Sequence, residues 1–168
     1  MKTFQKKICL LGDFAVGKSS LVRRYVEGIF DEKYLTTVGV VVSRKSVMKP
    51  DQIVNLLIWD LAGGRDFTHT GYLAGVSGAM LVCDLTRYNT LAAYRVYAQQ
   101  VKGFNPKAEF VLLANKSDLA EARAISDEEL QVLSLELCAP LFITSAKTGN
   151  MVEHAFEHLA DSLTAREQ

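Results

Sequence analysis

The sequence is short of cysteine, of long apolar runs and of excess charge of either sign. Three cysteines occur among 168 residues, an odd number, and all stand in apolar runs. We therefore expect buried free thiols in a reducing compartment. No run of 18 apolar residues is present, so no membrane-spanning helix is predicted. Lysine plus arginine equals aspartate plus glutamate at 19 each, so no general attraction to nucleic acid or anionic lipid is expected.

Both ends of the chain also lack targeting signals. The N-terminus has no signal-peptide core, its second residue is Lys2 where myristoylation requires glycine, and residues 165–168 hold no prenylation cysteine. These absences predict a cytoplasmic protein with no membrane anchor in this chain. With 168 residues, 49% of them hydrophobic, the chain can bury a sizeable core. We expect a single domain over residues 1–168 and a monomer.

Predicted strands and helices alternate along the chain, which is typical of an α/β sheet with helices on both faces. A three-residue turn at 49–51 can join only antiparallel neighbours, so the flanking strands should form a hairpin. Ser126 and Glu129 have the spacing of a capping box at a helix start. The expected strands are 4–11, 38–48, 52–60, 79–84, 109–114 and 141–143; the expected helices are 17–27, 90–102, 126–138 and 150–163, with a short one inside the loop 61–70. The predicted architecture is three-layered, with six mostly parallel strands, one of them antiparallel, and about five helices.

Residues 12–19, between the first strand and the first helix, read G-D-F-A-V-G-K-S and fit the phosphate-binding pattern G-x-x-x-x-G-K-[ST]. Gly12 and Gly17 let the backbone turn tightly and approach a phosphate. Successive N–H groups and the positive end of the helix dipole then face the anion. Lys18 adds a mobile charge for the outer phosphates, and the Ser19 hydroxyl can bind Mg²⁺. This loop predicts nucleotide binding.

Three further motifs stand at the ends of later predicted strands, where the ligands of such sheets bind. Asp60 opens D-L-A-G at the end of an apolar strand, where a carboxylate needs a partner such as Mg²⁺ held by Ser19. Residues 115–118 read N-K-S-D and residues 144–147 read T-S-A-K. A buried carboxylate at Asp118 can accept hydrogen bonds from both the ring N–H and the amino group of guanine, and adenine, which lacks these paired donors, would leave it unsatisfied. The Lys116 stem can cover the base, and the Ala146 N–H can meet its oxygen.

These four motifs, in this order over essentially the whole chain, resemble those of the small GTPases of the Ras superfamily. Residues 37–40, T-V-G-V, are most similar to the Rab branch. The resemblance implies a P-loop NTPase fold that binds GTP or GDP with Mg²⁺, and effector and regulatory proteins as partners at switch loops around residues 30–42 and 61–75. It assigns the metal to Ser19, Thr37 and Asp60, and hydrolysis to Lys18, Thr37 and Gly63; Arg65 is a further catalytic candidate, particular to this chain. The implied nucleotide-binding residues are Gly12, Ala15, Val16, Gly17, Lys18, Ser19, Ser20, Phe30, Tyr34, Thr37, Gly63, Asn115, Lys116, Asp118, Leu119, Ser145, Ala146 and Lys147.

Two departures from the family pattern bear on hydrolysis. The family places a glutamine directly after D-x-x-G to orient the attacking water, and this chain has Gly64. Phe14 stands where the family commonly has a small residue, and its bulk can obstruct the geometry around the terminal phosphate. Both changes predict slow hydrolysis. Arg65 could supply charge as an internal arginine finger, His69 could act as a base, or a partner could provide the missing group.

Two functions remain open from the sequence. One is an enzyme and switch in which GTP hydrolysis toggles two loops. The other is a non-hydrolysing GTP-bound scaffold or signalling module. A phosphate-loop kinase is disfavoured because N-K-x-D and S-A-K indicate base recognition and no acceptor site is evident. Arg23 and Arg24 are expected on a solvated helix face.

Overall fold

The computed structural model describes residues 1–32 and 37–167, and there six strands form one sheet in the order β2-β3-β1-β4-β5-β6. The strands are β1 (Lys2–Gly12), β2 (Val40–Met48), β3 (Gln52–Leu61), β4 (Gly78–Asp84), β5 (Glu109–Asn115) and β6 (Leu141–Ile143). The helices are α1 (Lys18–Glu27), α2 (Ala93–Phe104), α3 (Asp127–Leu137) and α4 (Val152–Ala165), with short 3-10 helices at Tyr88–Thr90 and Ala120–Ala122. The predicted fold class is confirmed.

Burial explains the strand order. All seven residues of β4 are buried, as expected for a central parallel strand covered on both faces. β1 pairs in parallel with β3 and β4, and β5 pairs in parallel with β4 and β6. β2 runs antiparallel to β3 at the edge of the sheet, with Met48 opposite Ile53. The hairpin predicted from the turn at 49–51 is therefore confirmed.

Two apolar layers cover the sheet. One lies between the sheet and helices α2 and α3, and its largest buried side chains include Phe67 and Tyr94. The other lies under α1 and α4, where Tyr25 and Phe156 stack with ring centroids 4.1 Å apart. None of the helices within the described residues is both long and apolar enough to cross a membrane. The layers leave the carboxyl ends of β1, β3, β4 and β5 uncovered, with the loops that follow them.

Two local predictions are wrong. No helix forms within 61–70, where Gly64 adopts a left-handed φ angle of 69° that interrupts a helical run. Cys138 is exposed, unlike the buried Cys9 and Cys83, because it ends α3 in a left-handed conformation (φ 50°). Helix α2 also begins three residues later than expected, since residues 88–90 form a 3-10 turn.

The capping box at the start of α3 is confirmed and yields a stability prediction. The Glu129 N–H donates to Ser126 Oγ (3.2 Å), and the Ser126 N–H donates to Glu129 Oε2 (3.0 Å). Ser126→Ala removes the acceptor for an otherwise unpaired helix N–H, so we expect the free energy of unfolding to fall by about 1 kcal/mol. Urea denaturation measures the change. Ser126→Asp keeps an acceptor and should stay near the parent value; an equal loss in both variants would contradict the cap's contribution.

Candidate nucleotide-binding site

The loop between β1 and α1 has glycine where the backbone is closely packed. A Cβ at Gly12 would lie 2.5 Å from the carbonyl oxygen of Val82, and a Cβ at Gly17 would lie 2.4 Å from Asn115 Nδ2. Gly17 also has a φ of 100°, which side-chain-bearing residues rarely adopt. Any other residue at either position would push the loop away from β4 and β5. The loop is therefore shaped by its contacts as well as by its own flexibility.

Lys18 folds back over this loop. Its side chain is buried, and Nζ donates to the carbonyl oxygens of Gly12 (3.2 Å) and Asp13 (2.9 Å). Burial lowers the pKa of Lys18 to about 8, while the carboxylates of Asp60 and Asp13 oppose the shift. The two carbonyls take the acceptor role that phosphate oxygens can take. A phosphate in the loop would give this buried cation a charged partner.

The carboxylate of Asp84, which was not predicted from the sequence as a site residue, holds two cations against the outer side of the phosphate loop. Asp84 Oδ2, at the end of β4, pairs with Arg87 Nε (3.0 Å) and Lys116 Nζ (2.8 Å). Those two cations donate in turn to consecutive loop carbonyls, Arg87 to Phe14 (2.6 Å) and Lys116 to Ala15 (2.9 Å). Burial alone would raise the pKa of Asp84, but its hydrogen bonds, that from Lys116 foremost, hold the pKa below its usual value. The Lys116 contacts indicate a loop-fixing role besides base contact.

Three oxygen-bearing side chains converge at the start of α1. Ser19 Oγ lies 2.6 Å from Thr37 Oγ1 and donates to Asp60 Oδ2 at 2.5 Å, and Thr37 Oγ1 donates to the same oxygen at 3.0 Å. Asp60 is 3% exposed, and its Oδ1 is buried with no hydrogen-bond partner among the residues that the structure describes. Burial raises the pKa of Asp60, against the bonds from the two hydroxyls and the charge of Lys18. A buried carboxylate oxygen without a partner beside two hydroxyls fits the oxygen ligands that Mg²⁺ prefers.

Two adjoining cavities run along this edge of the sheet. The larger has a volume of about 380 Å³, and its lining combines the phosphate loop with the N-K-S-D and S-A-K loops: Ala15, Gly17, Ser20, Phe30, Asp31, Glu32, Asn115, Lys116, Asp118, Leu119, Ala146 and Lys147. The smaller lies at the other end of the loop and is lined by Phe14, Ala15, Gly17, Lys18, Ser19, Thr37, Leu61 and Gly63. The phosphate loop thus borders both cavities.

Asn115 ties the loops around the larger cavity together. Its Nδ2 donates to the Val16 carbonyl (3.0 Å), and its Oδ1 accepts from Thr144 Oγ1 (3.2 Å) and the Ala146 N–H (3.3 Å). The side chain is 1% exposed. In this state the amide of Asn115 joins the phosphate loop to the S-A-K loop. The Ala146 N–H was expected to donate to an oxygen of the base. Here it donates to Asn115 Oδ1 at 3.3 Å, which is long for a hydrogen bond.

Asp118 is exposed at the cavity and is fixed from one side. Its Oδ1 accepts from Ser145 Oγ at 2.7 Å, and Ser145 is itself buried. Sequence reasoning placed a buried carboxylate here, and the structure shows a solvent-facing one. An unpaired carboxylate is costly only when it is shielded from water. Asp118 can therefore discriminate guanine from adenine only if the bound base shields it from solvent.

The segment before β2 completes the base end of the site. Phe30 packs partly against the core beneath α1 and also lines the larger cavity. Its ring can therefore serve both as a core side chain and as a contact for the base. Lys147 Nζ reaches Glu32 Oε1 at 3.5 Å across the cavity mouth. Tyr34, predicted to contact the nucleotide, lies outside the described residues.

The positions that bear on hydrolysis stand beside the smaller cavity. A Cβ at Gly63 would lie 2.4 Å from the backbone nitrogen of Phe14, so this loop touches the phosphate loop. Gly64 has a φ of 69°, and within residues 1–32 and 37–167 no atom lies within 4 Å of a Cβ built there. Arg65 is exposed and is held by its backbone, whose carbonyl accepts from Tyr97 Oη at 3.0 Å. The structure thus leaves open space where the family has a glutamine, with the Arg65 side chain next to it in sequence.

Sequence reasoning missed a second residue of the site. Arg24 was expected on a solvated face, and instead its guanidinium bonds the carbonyl of Ala146. The interpretation is wrong because helical spacing shows which face a residue occupies and not which loop packs there. Asp84 was missed for a similar reason, since it reads as the end of a buried strand. His69 is exposed, as a loop residue would be.

Comparison with known proteins agrees with this site. Residues 7–165 match the model of the Ras family. Ras-related protein Rab-3B of Homo sapiens is 33% identical over 160 residues, covering 94% of this chain and 73% of that protein. Ras-related protein Rab-27A of Mus musculus is 34% identical over 174 residues, with 95% and 79% covered. GTP-binding protein Rab-3D of Rattus norvegicus is 34% identical over 158 residues, with 92% and 72% covered. From the matched family model and these relatives, the chain belongs to the Ras family and is a Rab-like small GTPase.

Proposed function

We propose that this protein is a guanine-nucleotide switch that binds GTP and GDP with Mg²⁺ and hydrolyses GTP slowly. The observation that carries the proposal is the larger cavity, where the phosphate loop, N-K-S-D and S-A-K line one space. The base would lie between Phe30 and Lys116 with its polar edge on Asp118. The phosphates would lie over the N–H groups of residues 12–19, at the positive end of α1.

The residues at the phosphate end have separable tasks. Lys18 would exchange its two carbonyl acceptors for phosphate oxygens. Ser19, Thr37 and Asp60 would hold Mg²⁺, with Asp60 acting directly or through a water. When bound, the metal supplies positive charge against the outer phosphates. The Gly63 N–H would meet the terminal phosphate. Because Thr37 and Gly63 stand in the two mobile loops of this family, their contacts would report whether that phosphate is present.

Slow hydrolysis is proposed because no side chain orients water at Gly64. A non-hydrolysing GTP-bound module is the alternative, favoured by the open space at that position and by Phe14 in the phosphate loop. The intact set of Lys18, Ser19, Thr37 and Asp60 supports residual catalysis, and Arg65 is proposed to contribute charge. A measured rate separates the two functions.

Protein partners are proposed to read the loops around residues 30–42 and 61–75. Val38, Val41 and Val42 expose apolar side chains at the start of the edge strand, with Val38 86% exposed. Exposed apolar groups beside polar loops favour a protein surface as partner. We propose that the chain acts as a single-domain monomer in the cytoplasm, where its three free thiols would stay reduced.

Replacing Asp118 with Asn tests base recognition. The amide cannot accept from both donors of guanine, so we expect GDP affinity to fall by about 10- to 100-fold. Xanthine carries an oxygen where guanine carries the amino group, so xanthosine diphosphate should bind Asp118→Asn better than it binds the parent. Competition titration with a fluorescent nucleotide measures both constants. Asp127→Asn, an exposed acid paired with Arg123, is the matched control and should change neither. Unchanged GDP affinity in Asp118→Asn would refute the assignment.

Replacing Gly64 with Gln tests whether water orientation limits hydrolysis. We expect the single-turnover rate of GTP hydrolysis to rise by about 100-fold, the scale of a lost positioning group. The left-handed backbone at Gly64 disfavours any side chain by about 1–2 kcal/mol, so Gly64→Ala carries the same strain without the amide. That control should leave the rate at the parent level. If Gln and Ala behave alike, Phe14 or another residue is limiting.

Replacing Arg65 with Ala tests its proposed role as an internal arginine finger. The contact that holds residue 65 uses its backbone carbonyl, so the substitution leaves the loop attached to Tyr97. We expect the single-turnover hydrolysis rate to fall by about tenfold or more while GTP affinity changes little, because the charge acts on the transition state. Arg95→Ala, an exposed arginine paired with Glu136, serves as the control. An unchanged rate in Arg65→Ala would remove Arg65 from the mechanism.

A further inference from the structure

Arg24 spans the gap between helix α1 and the S-A-K loop. Its Nε donates to the Ala146 carbonyl at 2.8 Å, and its Nη2 donates to the Lys147 carbonyl at 2.5 Å. Its Nη1 donates to the carbonyl of Gly28, the C-cap of α1, at 3.3 Å. Gly149 lies against the aliphatic stem, where a Cβ would be 3.6 Å from Arg24 Cδ. One guanidinium therefore fixes two consecutive peptides of a loop 122 residues away.

The first of these peptides connects Arg24 to the base cavity. The C=O and N–H groups of a trans peptide point in opposite directions, and no cis peptide is present in the described chain. The Ala146 carbonyl faces Arg24, so the Lys147 N–H of the same peptide points away from α1. Ala146 and Lys147 line the larger cavity. The guanidinium thus sets the direction of an N–H donor at the cavity wall.

The second peptide connects Arg24 to Asp118. The Lys147 carbonyl faces Arg24, and the Thr148 N–H of that peptide donates to Ser145 Oγ at 3.1 Å. Ser145 Oγ donates to Asp118 Oδ1 at 2.7 Å. A continuous series of hydrogen bonds therefore runs from the guanidinium to the carboxylate that is proposed to recognise guanine.

We propose that Arg24 is a positioning residue for base selectivity, holding the S-A-K loop so that a backbone N–H and Asp118 present matched groups to guanine. The inference rests on the proposed nucleotide binding. It adds a residue outside the cavity, Arg24, that would set the selectivity of this binding for guanine. The planar guanidinium suits this role because its donors are fixed in one plane and hold two carbonyls in a defined orientation, whereas the donors of a lysine ammonium rotate freely. In the described part of the chain, the hydrogen bonds of Arg24 go to Ala146, Lys147 and Gly28 and none goes to the phosphate loop.

The test compares GDP with ADP, which shares the ribose and the phosphates but lacks the polar edge of guanine. Both dissociation constants are measured for Arg24→Ala by competition against a fluorescent guanine nucleotide. We expect the ratio of the ADP constant to the GDP constant to fall by about tenfold, the scale seen when a supporting residue behind a ligand-binding group is removed. ADP affinity itself should stay near the parent value, because the phosphate contacts are intact.

Arg23→Ala is the matched control, since Arg23 is the neighbouring arginine on the same helix and pairs with Glu27 at 3.2 Å. Its selectivity ratio should equal that of the parent. If Arg24→Ala fails to fold, Arg24→Lys keeps the charge and most of the stem and should still lower the ratio a few-fold.

Three results would overturn the inference: an unchanged ratio in the folded Arg24 variant, an equal loss of GDP and ADP affinity, or the same fall in Arg23→Ala. A parent protein that binds GDP and ADP equally would instead overturn the proposed base recognition. The two failures are therefore distinguishable.

Discussion

The buried amide of Asn115 is the interaction on which the site depends. It bonds the phosphate loop through Val16 and the S-A-K loop through Ala146, and it stands 2.4 Å from where a Cβ at Gly17 would lie. One side chain at the end of β5 thus fixes the separation between the phosphate end and the base end. A separation that is set before the ligand arrives lowers the ordering cost of binding, and a buried amide sets it without a mobile charge.

Charge is arranged around this fixed frame in two groups. Asp84 gathers Arg87 and Lys116 on the outer side of the phosphate loop, whereas Lys18 and Asp60 face its inner side. The outer group pairs one carboxylate with two cations, and both cations donate to carbonyl oxygens of the phosphate loop, so this group shapes the loop. The inner group has a lysine of lowered pKa and a carboxylate oxygen without a partner, so it is the group that gains most from phosphate and metal.

Much of this could be predicted from the sequence. Local patterns fixed the strand bounds to within two residues, the hairpin and the Ser126 cap, because turn length, burial and capping act between near neighbours. The wrong predictions depend on distant contacts or on single backbone angles. Arg24 is predicted on the surface until the S-A-K loop is placed beside it, and Asp118 is predicted to be buried until its exposure is seen. The short helix predicted inside the loop 61–70 is absent, since Gly64 takes a left-handed angle. The spacing of the motifs identifies the candidate nucleotide-binding residues. The residues that hold them in place, such as Arg24, become visible only from the tertiary packing.

The exposed end of α3 has a practical consequence. Burial raises the pKa of the Cys9 and Cys83 thiols to about 12, so neither offers a thiolate near neutral pH. Cys138, the residue directly after α3, is the exposed one of the three, and it lines neither of the two site cavities. Within residues 1–168 a maleimide dye is therefore expected to attach at Cys138, away from both cavities, so a fluorescent label can be introduced without substituting a residue.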